Sequence, residues 1–162
     1  MRANARRLEA WEDEGGRTGS VSSEMLRMMI VDNDMRHADC LERMLSAAGY
    51  PATRVAYSAH AALAFAAEFG PDVAFVETNL IDMDSNELAQ RLRDRALGSQ
   101  LRLIAMTHNR DPAGLALAAN GGFERYLLKP IGTADLSKLF AIQRQGRLTQ
   151  QSQALAAGSL RA

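Results

Sequence analysis

Short apolar runs alternate with segments of helical apolar spacing from residue 28 to residue 140, and this alternation leaves few ways to fold. Residues 28 to 32 read as a buried strand. Met35 to Ala48 reads as a helix with Cys40, Leu41, Met44 and Leu45 on one face, ended by a left-handed cap at Gly49. Val55 and Ala56 mark a short second strand. Ser58 caps a helix carrying Ala62, Leu63, Ala66 and Phe69, which Gly70 and Pro71 stop. Val73 to Val76 is the third strand. Asp84 and Glu87 then have capping-box spacing ahead of a helix with Leu88 and Leu92, and Glu87 faces Arg91 at i,i+4. Leu101 to Met106 is the fourth strand, and Asp111 with Pro112 opens a helix closed by Gly121 and Gly122. Phe123 to Leu128 is the fifth strand, and Leu136, Leu139 and Phe140 form the buried stripe of a last helix.

Parallel strands need long right-handed crossovers, so alternating elements of this kind imply an α/β fold, a parallel sheet with helices on both faces. Ligands of such sheets sit at the carboxyl ends of the strands. There the runs MMIV, VAFV, LIAM and YLL stop at Asp32-Asn33-Asp34, Glu77, Thr107 and Lys129. Acid, hydroxyl and ammonium groups therefore converge on one place.

The strings MMIVDND, PDVAFVETNLIDMDSNEL, LIAMT and FERYLLKP, in that order, resemble the receiver domain of bacterial two-component response regulators. The resemblance spans about residues 27 to 144. It implies a flavodoxin-like, CheY-like sheet of five parallel strands in the order 2-1-3-4-5, and a cis peptide between Lys129 and Pro130. In that family the third strand ends in an aspartate that accepts a phosphoryl group from a histidine kinase; here the matching residue is Glu77.

The resemblance also assigns roles to the other residues. Asp32 and Asn33 match an acidic pair that helps hold magnesium, and Asn79 matches a position whose backbone carbonyl meets the metal. An amide brings no charge, so binding is expected to be weaker than with two carboxylates. Asp34 either makes up for that missing charge or, more simply, serves as the N-cap of the first helix. Thr107, Tyr126 and Lys129 match the hydroxyl, aromatic and ammonium groups of the family's switch. Glu77 is one methylene too long, a shift of up to about 1.5 Å. Misplacement near 1 Å costs roughly a hundredfold where alignment drives the rate. Phosphoryl transfer is thus expected to be slow or absent. Either Glu77 imitates the phosphorylated aspartate beside Lys129 and Thr107, or it pairs with Lys129 in a decayed site. His108 either crowds the entrance or faces water. His37 and His60 have no companions at metal-ligand spacing and receive no role.

With 162 residues and no formal net charge, the sequence offers one compact domain and no basic nucleic-acid footprint. No apolar run approaches the roughly 18 residues of a membrane span, no signal-peptide h-region is present, and Cys40 has no cysteine partner. A cytoplasmic protein is expected. Residues 1–24 read as a flexible arm, 25–144 as the receiver and 145–162 as a polar tail. The expected function is a stand-alone atypical receiver that acts by protein–protein contact, with a signalling protein or histidine kinase as partner. The surface of helix four, strand five and helix five is its candidate output or homodimer face. Two alternatives remain. One is phosphorylation of Glu77, Asp82 or Asp84. The other is a haloacid-dehalogenase-like phosphatase, read from Asp32-Asn33-Asp34, which needs an acidic pair beyond Lys129 where only Asp135 stands.

Overall fold

A computed structural model describes residues 26–96, 100–108, 110, 115–116, 119–141 and 153. Strands β1 (Met28–Val31), β2 (Thr53–Ala56), β3 (Val73–Glu77), β4 (Arg102–Thr107) and β5 (Arg125–Leu128) alternate with helices α1 (Met35–Ala47), α2 (Ala59–Phe69) and α3 (Ser85–Arg95). The sheet is parallel, in the order β2-β1-β3-β4-β5. Leu115, Ala116, Ala119 and Asn120 are helical between β4 and β5, and helix follows again at 133–141. The expected cap at Asp111 and Pro112 lies outside the described residues, as do the arm at 1–24 and, apart from residue 153, the tail at 145–162.

Side chains alternate along each strand, so the sheet divides the apolar residues into two layers. Met29, Val31, Ala74, Val76, Leu103 and Ala105 pack with Ala62, Leu63 and Ala66 of α2 and Leu88, Ala89 and Leu92 of α3. Met28, Ile30, Phe75, Ile104 and Met106 face the other way, onto Ala38, Leu41 and Leu45 of α1 and onto Leu136, Leu139 and Phe140. Both faces of the sheet are thereby covered. Its central strands are buried at every described position of β1 and β3, as expected of a parallel sheet.

Helix ends follow the residues expected to make them. The Asp34 side chain accepts from the Arg36 and His37 amides, Ser58 Oγ from the Ala61 amide, and Asp84 from the Asn86 and Glu87 amides. At the end of α1 the Gly49 amide donates to Ser46 O and the Tyr50 amide to Leu45 O. This double bond pattern needs a left-handed residue, and Gly49 supplies it with φ 96°. Glu87 pairs with Arg91 at 2.6 Å, as its spacing implies. The Lys129–Pro130 peptide is cis.

Some local expectations are corrected. Cys40 is exposed, not part of the buried stripe of α1. That stripe centres on Ala38, Leu41 and Leu45, and Cys40 lies one step around the helix, at the rim of a hollow shared with Met44, Tyr50 and Phe140. β2 starts earlier than Val55 and β5 later than Phe123, whereas β3 runs one residue further and takes in Glu77. The pairing of Glu77 with Met106 holds that extra residue in the sheet.

Candidate functional site

The carboxyl ends of the five strands are tied to their neighbours before any side chain enters, β1 to β3 through the pairing of Val31 with Val76. The Asp32 amide donates to Ala56 O at 3.0 Å, Thr78 N to Met106 O at 2.9 Å, and Lys129 N to Thr107 O at 2.8 Å. Asp32, Glu77, Thr107 and Lys129 thus emerge at one level. All are buried, with Asp32 at 1 % exposure, Glu77 at 4 %, Thr107 at 6 % and Lys129 at 7 %. Charged groups are rarely buried without partners, so their contacts decide what this place can do.

Lys129 Nζ lies 2.6 Å from Asp32 Oδ2 and also contacts Glu77 Oε2. One ammonium serves two carboxylates. Glu77 Oε1 accepts from the Asn79 amide at 2.9 Å and from Thr78 Oγ1 at 3.3 Å. Asp32 Oδ1 accepts from the Asp34 amide at 2.9 Å, and Oδ2 also meets His37 Nδ1 at 2.6 Å. An ionised carboxylate only accepts, so Nδ1 carries the proton and donates. Burial pushes the Asp32 carboxyl upward; hydrogen bonds from His37, Lys129 and the Asp34 amide outweigh it and hold its pKa below the usual carboxylate value.

His37 is the site residue that reading the sequence left without a role. It belongs to the first turn of α1, where Cα–Cβ bonds tilt back toward the helix N-terminus, in this case toward the end of β1. The legible signal was an imidazole three residues after the Asp34 cap. His60 behaves likewise on α2. Its Nδ1 lies 2.7 Å from Asp82 Oδ2, and Asp82 also accepts from the Ala59 and His60 amides at 3.0 Å each. Burial opposes ionisation of Asp82, but these bonds lower its pKa to about 2. Asp82 and Asp84 are therefore both committed to helix N-termini. His108 is exposed, which realises the water-facing alternative.

Tyr126 lies on β5, packed against the α2–α3 side of the core, with its hydroxyl buried and without a hydrogen-bond partner. Burial raises its pKa. Asn33 Oδ1 is also buried and unpartnered. Asp135 Oδ2 accepts from the Gly132 amide at 2.8 Å, at the start of the last helix. The second acid that a haloacid-dehalogenase-like reading requires is thus occupied as a helix cap. Met35, Tyr57 and Ile81, the exposed large apolar residues among those described, stand at the first residue of α1 and on the loops after β2 and β3, at the same edge as the site.

The profile of the response regulator receiver domain matches residues 28–141. The chain belongs to this family. The receiver is 31% identical over 112 residues to an uncharacterized 14.6 kDa protein in the sodA1 3' region of Leptolyngbya boryana, covering 69% of this chain and 85% of that one. Among solved structures, a two-component response regulator from Clostridium difficile superposes with a TM-score of 0.67 at 26% identity, over 74% of this chain and 97% of that one. A CheY-like receiver domain protein from Methanospirillum hungatei JF-1 gives 0.66 at 23% identity, over 77% and 98%. Receiver domains are signalling modules of two-component systems that work through histidine kinases or other signalling proteins. No helix among the described residues is long and apolar enough to cross a membrane.

Proposed function

We propose that this receiver signals through protein contact without aspartate phosphorylation, and that Glu77 stands in for the phosphorylated residue. The observation that carries this reading is the contact of the Glu77 carboxylate with Lys129 at the end of β3, where the family's acceptor aspartate belongs. The longer side chain brings a permanent negative charge to the ammonium. The buried hydroxyl of Tyr126 supports the same reading, because an inward aromatic at this position accompanies activation in the resembling family. Thr107, buried at the end of β4, completes the set. The partner is a signalling protein, met on the β5 side of the sheet, and a homodimer through that side is its self-associated form.

Two measurements test this. Intact mass after incubation with magnesium and a small phosphodonor is expected to show no phosphoryl adduct on the native chain. An adduct there, mapped to Glu77 or to Asp82 or Asp84, would replace this reading with a working receiver. The combined Glu77→Asp, Asn33→Asp chain rebuilds an acceptor and a metal ligand, and serves as the positive control. The imitation itself is read by fluorotyrosine NMR. Glu77→Gln removes the charge and should move the Tyr126 resonance toward a solvent-exposed position; an unchanged resonance would reduce Glu77 to a partner of Lys129 alone.

A further inference from the structure

The receiver family implies a magnesium ion at the acidic site, and both carboxylates beside it are already engaged by the chain's own donors. Magnesium takes near-octahedral oxygen ligands at about 2.0–2.1 Å and dehydrates reluctantly. Asp32 Oδ1 is held by the Asp34 amide, and Oδ2 is shared between Lys129 Nζ and His37 Nδ1, both at 2.6 Å. Glu77 is held by Lys129 on one oxygen and by Asn79 and Thr78 on the other. Asn33 Oδ1 is buried and uncommitted, yet it is a single neutral oxygen where the family has a carboxylate. Among the described residues no three His, Cys, Asp or Glu side chains are disposed around a common ion position. The residues present do not fit a dication.

We propose that this site excludes magnesium, and that His37, together with the neutral Asn33, is what closes it. Lys129 alone would leave one lobe of Asp32 open. His37 fills it from the first turn of α1, with its ring largely buried at 15% exposure and its Nε2 without a partner. A metal reaching Asp32 must displace that ring and leave a buried N–H unsatisfied. An unsatisfied buried donor weakens binding by on the order of ten- to a hundredfold. The missing charge at Asn33 adds to this. The inference concerns metal access and stands whether or not Glu77 imitates a phosphoryl group.

Manganese is a suitable probe, because it takes the same carboxylate and carbonyl oxygens and is paramagnetic. Water-proton relaxation is titrated with manganese, and then with magnesium as competitor, for the native chain, Asn33→Asp, and Asn33→Asp with His37→Ala. Competition by magnesium separates this site from manganese held by the exposed His60 or His108. Circular dichroism melts establish that each chain is folded; the single substitution, in a loop, keeps the test intact should the double one unfold. The native chain is expected to show no magnesium-sensitive enhancement, and the substituted chains roughly tenfold stronger binding or more. Magnesium-sensitive enhancement by the native chain overturns the inference. Silence from all the folded chains overturns the role given to His37 and Asn33. Native metal binding without any phosphoryl adduct would remove this inference and leave the proposed function in place. An adduct on a native chain that binds no metal would do the reverse.

Discussion

His37 Nδ1 lies 2.6 Å from Asp32 Oδ2 and joins the first turn of α1 to the end of β1. The bond is made to an ionised carboxylate that is 1 % exposed, and it is therefore worth more than an ordinary surface contact. His37→Ala is expected to lower unfolding free energy by about 1.5–3 kcal/mol, read as a lower urea midpoint with an unchanged slope. A loss below the scatter of surface substitutions would mean that water replaces the imidazole without cost.

Lys129 is the counter-ion of two buried carboxylates. Lys129→Met leaves both uncompensated, and a loss of about 3–5 kcal/mol is expected. Adding Glu77→Gln to that chain removes one of the stranded charges and should restore part of the loss. A double-substitution cycle measures it, and strict additivity would show that the pair is not coupled.

Acid should weaken the fold through Asp32 and Asp82. Both have folded-state pKa values below the ordinary carboxylate value, so each contributes stability that is fully present above the unfolded value of about 3.9 and is lost as pH falls through the folded value. Denaturation midpoints are therefore expected to hold level from neutral pH to about 4 and then fall toward about 2, the value to which Asp82 is lowered. Asp82→Asn should flatten part of that decline; an identical acid profile would assign the loss to other carboxylates.

The layer between the sheet and α1 is expected to tolerate little. Phe75 is fully buried in the centre of β3 among Ile30, Leu41 and Met106. Phe75→Ala should destabilise by about 3–5 kcal/mol, measured in the same urea titration. A smaller effect would mean that Met28 and Met106 move into the space.

Much of this molecule was legible because its signals are local. An apolar run that stops at Asp32 or Lys129 reads as the end of a buried strand in any fold of this class, and caps such as Asp34, Ser58 and Asp84 act within a few residues of where they stand. The site residues Asp32, Glu77, Thr107 and Lys129 were legible for the same reason, once parallel strands were inferred. The strand order was not, since nothing in a run such as VAFV names its neighbours; the family resemblance supplied it. Contacts between elements far apart in the chain escaped the sequence. His60 with Asp82 joins α2 to the loop after β3, a separation of 22 residues, and no spacing rule reaches that far. Cys40 was placed inside because a helical stripe read from four residues is uncertain by one step, about 100° of arc.

The charge that faces Lys129 belongs to the chain itself. A phosphoryl group on an aspartate is put on and taken off, and its lifetime clocks the signal. Under the proposed function Glu77 has no such lifetime, because no bond is made there that water could later break. If the carboxylate fills that role, the occupied fraction of the partner follows from concentrations and affinity alone. The cell would then grade the output by how many copies it makes and how fast it destroys them.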